Sequence, residues 1–175
     1  MKYNIAIIPP DTLCDQVISI SQELYKMGGQ FVLGNQVNFA HITIAHFECY
    51  DENVLERIID ENVSQLDKIH AFNIKQDEYR MNNGWVDISF QKISEILSLY
   101  EIVLNTLQKY NCKKTSDDWE CNAPHLTLSK FANSKDFDIA TLPKHDFSFI
   151  VEEIGIFELG EYGTNKKLVK EFKLQ

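Results

Sequence analysis

Hydrophobic positions along the chain recur with two periods, one near 3.6 and one of 2, and the succession of those blocks predicts its elements. Residues 3–8 hold an Ile-rich run that reads as a short buried strand, ended by Pro9-Pro10. A helix follows to about residue 27. Asp11 or Thr12 can cap it, Leu13, Val17, Ile20, Leu24 and Met27 form its apolar stripe, and Gly28-Gly29 closes it. Residues 37–47 read as a strand. A second amphipathic helix covers 53–69, with Leu55, Ile58, Ile59, Val63 and Leu66 inward. Residues 71–79 and 85–90 are strands joined through Met81-Asn82-Asn83-Gly84, where Asn-Gly accepts the positive φ angles of a tight hairpin.

The order then starts again. Residues 93–110 read as a helix with Ile93, Ile96, Leu97, Tyr100, Val103, Leu104 and Leu107 on one side. A polar loop over 111–122 leads into a strand over 124–131, and 133–144 holds a short helix at most. A long strand over 146–159, a turn at 160–165 and a closing strand over 166–174 complete the chain. Strand, helix, strand, helix and strand pair are thus repeated in outline, and His70-Ala71-Phe72 is echoed by His145-Asp146-Phe147. The expected fold class is α+β: two pseudo-symmetric lobes, each an antiparallel sheet backed by helices, with a groove between them. We expect one bilobal domain over 1–175, its halves meeting near residues 84 and 85.

One short pattern occupies the same slot in each half. Ala40-His41-Ile42-Thr43-Ile44 is matched by Pro124-His125-Leu126-Thr127-Leu128. In a strand, side chains at i and i+2 share a face. His41, Thr43 and Ala45 should therefore point one way, and His125, Thr127 and Ser129 likewise, with Ile42, Ile44, Leu126 and Leu128 turned to a core. Two such faces opposed across a groove supply two imidazoles for acid/base chemistry and two hydroxyls for hydrogen bonding, enough to grip and cleave a phosphodiester.

Bulk properties narrow the substrate. The net charge of −9 disfavours a protein that holds long nucleic acid and suits a small nucleotide or a short RNA end. The four cysteines form no Cys-x-x-Cys pair and read as reduced thiols of a cytoplasmic protein. No segment is apolar and long enough to span a membrane, so no membrane partner is expected, and we expect a monomer. Two histidines make only two ligands, with no carboxylate at ligand spacing beside either, so no metal and no cofactor are expected. A glycine-rich phosphate loop and a Gly-x-Ser-x-Gly elbow are both absent.

Paired His-x-Thr-apolar segments in a duplicated α+β chain resemble the 2H phosphoesterase superfamily, especially its 2′-5′ RNA ligase-like and cyclic phosphodiesterase members. The stretch Val151-Glu152-Glu153-Ile154-Gly155-Ile156-Phe157 is similar to that family's long C-terminal strand. The resemblance implies metal-independent action on 2′,3′-cyclic phosphates, 2′-5′ phosphodiesters or cyclic oligonucleotides. In that scheme one of His41 and His125 accepts a proton, the other donates one, and Thr43 and Thr127 bind the phosphate. It also implies an aromatic in the last hairpin, for which Tyr162 is the candidate. Two alternatives stand beside this reading: a non-catalytic nucleotide- or RNA-end-binding module, and a phage- or virus-type enzyme that degrades cyclic-nucleotide immune signals.

The remaining conspicuous residues divide into two groups. Tyr79, Arg80 and Trp85 flank the Asn-Gly turn, where an aromatic could stack a base and the guanidinium could meet a phosphate. Trp119 is a candidate lid aromatic, and the nearby acids Asp117, Asp118 and Glu120 read as a solvated loop. His46, at the odd position of its strand, should point away from the groove, and Lys130 at the matching place reads as a solvent charge. His70 and His145 mark element ends. Cys121 has no positive neighbour in sequence and is not a nucleophile candidate.

Overall fold

The computed structural model describes residues 1–115, 124–133 and 137–175. Trp119, Cys121 and the acids beside them lie outside those residues. The described chain is α+β, with three α-helices (α1–α3) and ten strands (β1–β10). The Ile-rich run forms β1, Lys2–Ile8, and Tyr3, Ile5, Ala6 and Ile7 are buried. Its partners are β2, Ile42–Glu48, on one side and β9, Glu153–Leu159, on the other. With β6, Lys113–Lys114, and β10, Asn165–Lys173, they form a five-stranded antiparallel sheet in the order β10-β9-β1-β2-β6. A three-stranded sheet in the order β4-β5-β7 comprises Gln76–Asn82, Trp85–Phe90 and His125–Lys130. Phe72–Ile74 (β3) and Phe149–Val151 (β8) pair separately.

Each motif strand therefore lies in its own sheet, and β2 and β7 approach one another where the sheets meet. The sheets do not follow the chain halves in order. The larger takes β1 and β2 from one half and β6, β9 and β10 from the other. The 84/85 boundary falls inside the turn between β4 and β5, where Asn83 and Gly84 have φ of 48° and 85° as the Asn-Gly signal predicts. The two long strands expected over 71–79 and 146–159 are each two strands. β3 and β8 pair with one another, whereas β4 joins the smaller sheet and β9 the larger. A single run of β-prone residues is thus divided where its ladder partner changes.

The helices cross between the sheets. α1, Asp11–Lys26, precedes β2 but packs on β7, where Ser21 Oγ donates to the Leu128 carbonyl at 2.8 Å. α3, Ser94–Lys109, precedes β7 but packs on β2 and on α2, Glu52–Leu66. Both lobes are interlocked through these backs, and Ile42, Ile44, Leu126 and Leu128 are buried beneath them. Each such side chain contributes about 1.5–3 kcal/mol of burial. Three helix details depart from expectation. Pro10 takes the N-cap of α1, so neither Asp11 nor Thr12 caps it; Asp11 stands in the first turn, where an acid suits the helix dipole. Met27 lies past the last turn and is exposed. On α3, Leu97 is exposed while Leu99 is buried.

Candidate active site

β2 begins at Ile42, five residues later than the alternation suggests. Asn38 adopts a positive φ of 54°, and Phe39 leaves the β1 ladder to bridge Asn165 at the start of β10. That break presents His41 at the mouth of the strand. His41 Nδ1 lies 2.7 Å from the Phe39 carbonyl, which can only accept, so Nδ1 carries the hydrogen and Nε2 keeps its lone pair when the ring is neutral. Burial lowers the His41 pKa to about 4; the bond to Phe39 opposes that shift, and His125 adds to it by like-charge repulsion.

A groove of about 750 Å³ runs between the lobes. His41, Thr43, His125 and Thr127 all line it, and so do Tyr79, Arg80, Trp85 and Tyr162. The structure brings together every described residue singled out for the site. Arg80 faces the buried Asp87 at 3.9 Å, and its Nε is buried with no hydrogen-bond partner. Tyr79 is anchored instead of free to swing, since its hydroxyl donates to the Pro143 carbonyl at 2.9 Å. Trp85 and Tyr162 both pack near Phe31, with centroid separations of 6.4 and 6.1 Å. Tyr162 occupies a left-handed φ of 56° in the turn before β10.

Strand alternation fails after the threonines, in the same way on both strands. On β2, Ala45 pairs with Ile5 and Thr43 with Ala6, so Ile44 is the extra residue of a β-bulge. On β7, Ser129 pairs with Val86 and Thr127 with Asp87, so Leu128 is the extra residue. A bulge inverts the parity of everything beyond it. Ala45 and Ser129, expected on the groove face, are fully buried. His46, expected to point away, lines the groove. Lys130, expected in solvent, lies over the Trp85 ring at 4.6 Å and the Tyr162 ring at 5.5 Å. The functional face of each strand is thus His, Thr and, three residues on, a further basic side chain.

Two residues of the site are missing from the sequence reading. Asp87 faces Thr127 across the ladder and accepts its hydroxyl at 2.9 Å. Burial raises its pKa, and His125, Thr127 and Arg80 in turn pull it back down. An acid at the middle of the apolar run 85–90 was the available signal. Asn4, buried within β1, donates to Thr43 Oγ1 at 3.3 Å and to Asn165 Oδ1 at 2.8 Å. A polar residue in the middle of an Ile-rich strand pointed to it. Among the described residues, no group of three or more His, Cys, Asp or Glu is placed to hold a metal ion, and no helix is long and apolar enough to cross a membrane.

No protein-family model matches the chain, and no curated protein matches it in sequence. Solved structures match it in fold. A phosphoesterase crystal structure aligns with a TM-score of 0.74 at 15% identity, over 99% of this chain and 98% of that one. E. coli LigT complexed with 3′-AMP aligns with a TM-score of 0.75 at 15% identity, over 99% and 98%. The PDE domain of MHV ns2 aligns with a TM-score of 0.57 at 16% identity, over 99% and 100%. Two sheets that meet along paired His-x-Thr strands, matched over nearly the whole chain by these structures, give this protein the two-lobed α+β fold of those phosphoesterase structures.

Proposed function

We propose that the protein is a metal-independent phosphoesterase that acts on 2′,3′-cyclic phosphates, 2′-5′ phosphodiesters or cyclic oligonucleotides by two-histidine acid/base catalysis. The observation that carries this reading is the opposition of His41 and His125 in one groove, each beside a threonine hydroxyl. The two imidazoles divide the work. His41 is held neutral, with Nδ1 engaged by Phe39 and Nε2 presenting its lone pair, as a general base requires. His125, with the acid Asp87 nearby, takes the complementary role of proton donor. His41 takes a proton from water as the oxygen attacks phosphorus. The bond from phosphorus to the leaving oxygen breaks, and His125 protonates that oxygen. Each proton transfer is worth on the order of 10²-fold or more in rate.

Size and lining support a nucleotide-scale substrate. The groove volume lies in the range of small-molecule sites. The aromatic end formed by Phe31, Trp85 and Tyr162 offers a stacking platform, and Arg80 offers an anion contact. A protein of the same fold, E. coli LigT, has been crystallised with 3′-AMP. The test is a panel of 2′,3′-cyclic nucleotides, 2′-5′-linked dinucleotides and cyclic dinucleotides, with and without chelator, beside His41→Ala and His125→Ala controls. Turnover that survives chelation and is lost in both controls is the expected result. Tight binding without turnover across the panel, or activity abolished by chelator, overturns the reading.

A further inference from the structure

The bulge on β2 brings a third imidazole into the groove, and the chemistry so far gives it no task. His46 Nε2 lies 3.4 Å from Thr43 Oγ1. The same oxygen accepts from Asn4 Nδ2 at 3.3 Å. Asn4 is itself fixed, since Nδ2 also donates to Asn165 Oδ1, and both asparagines are fully buried. The Asn165 backbone carbonyl accepts from Phe39 N–H at 3.2 Å, and Phe39 in turn orients His41. Gly163 lies beside the His46 ring, where a Cβ would come 3.5 Å from Cε1. His46 thus lies between Thr43 and the last hairpin, and the buried amide pair fixes Thr43.

A hydroxyl has one hydrogen and two lone pairs. If two nitrogens donate to its oxygen, both lone pairs are used and its hydrogen must turn to a third partner. We propose that His46 is a positioning residue: with Asn4 it donates to Thr43 Oγ1 and so aims the Thr43 hydroxyl hydrogen into the groove, at the nonbridging oxygen of a bound phosphate. This rests on the phosphoesterase reading for its substrate, but it requires only that an anion occupy the groove. His46 itself carries its hydrogen on Nε2 and touches neither water nor leaving group. The two contacts are long for hydrogen bonds, so each contributes at the modest end of the usual range.

Two variants and one spectroscopic measurement test the assignment. His46→Phe keeps a ring against Gly163 and removes the donor, whereas His46→Gln can place an amide nitrogen near the Nε2 position. With a 2′,3′-cyclic nucleotide, His46→Phe is expected to lose about threefold in kcat/KM, the effect of one lost long hydrogen bond. His46→Gln should regain most of that loss, and His46→Phe added to Thr43→Ala should lose nothing further. Long-range 1H–15N spectra of the wild-type protein should show neutral His46 protonated at Nε2. Titration with inorganic phosphate should be weaker in His46→Phe than in wild type. Wild-type-like kinetics and phosphate affinity in His46→Phe, an undiminished loss in the Thr43→Ala background, or protonation at Nδ1 would each overturn the proposal. A wild-type protein that cleaves nothing in the panel sinks the phosphoesterase reading alone, because the tautomer and the phosphate titration still decide the role of His46.

Discussion

On β2 the hydroxyl of Thr43 is approached by two nitrogens, from Asn4 and His46; on β7 the hydroxyl of Thr127 turns its hydrogen to the Asp87 carboxylate. The strands otherwise agree in side-chain order, in the bulge after threonine and in the basic residue that follows three positions on, His46 in the groove and Lys130 on its aromatic wall. The same motif has been placed in neighbourhoods of opposite sign. Around Thr43 the neighbours are the side chains of Asn4 and His46; around Thr127 the neighbour is a buried acid flanked by Arg80 and His125. The difference teaches that a duplicated motif need not have duplicated roles. One side can present a hydrogen to an anion and hold its imidazole neutral, while the other has its hydroxyl hydrogen committed to a carboxylate.

The comparison can be broken most severely at the imidazoles. Replacing His41 or His125 by Ala should each cost on the order of 10²-fold or more in kcat for the panel substrate, measured in single-turnover assays. A loss confined to one of them would show that the other is not an acid or base. The threonines sharpen the contrast next. Thr43→Ala should lose on the order of 10²-fold in kcat, as for a lost transition-state donor, and Thr127→Ala markedly less. Thr127→Ala should instead lower the melting temperature, because Asp87 is left buried with one partner fewer. Equal losses would erase the assigned polarity.

Smaller effects follow from charge. Asp87→Asn keeps the shape of the side chain and removes its charge, and it should lower kcat about tenfold, since Thr127 and His125 lose their acidic neighbour. The acid limb of kcat/KM should lie near the pKa of about 4 given to His41 by burial, well below the ordinary imidazole range. An acid limb near 6.5 would move the base away from His41. The smallest expected effect is on stability. His41 and His46 both titrate near 4 in the folded chain and near 6.5 when unfolded. Between those values the unfolded chain binds more protons, so stability is fully present above about 6.5 and is lost as pH falls toward 4. The melting temperature should drop over that window, and less steeply in His46→Phe.

Much of this architecture was legible in residue order. The Ile run of β1, the stripes of the helices, the Asn-Gly hairpin and the two His-x-Thr strands each carry a local signal, because side-chain period and turn chemistry are properties of neighbours in sequence. Asp87 and Asn4 had weaker signals, as lone polar residues in apolar strands. Strand ends were least legible. The runs at 71–79 and 146–159 look continuous because nothing in them records that the hydrogen-bonding partner changes partway. Met27 and Leu97 fit an idealised apolar stripe, yet what covers a helix face depends on elements distant in the chain.

By itself the sequence determined that two imidazoles and two hydroxyls would be offered on paired strands with apolar backs, in a chain whose acidic balance suits a small substrate. The tertiary structure alone decided how those groups differ. A bulge exists only between two strands, so the parity that buries Ser129 and Ala45 and turns His46 and Lys130 into the groove and its aromatic wall is invisible in either strand alone. The partners of the threonines come from β1 and β5, and the anchor of His41 from a segment tied to β10. Alternation assigns a side chain to a face; only the register of its neighbours assigns it a hydrogen-bond partner, and in this groove the partner sets the polarity of the chemistry.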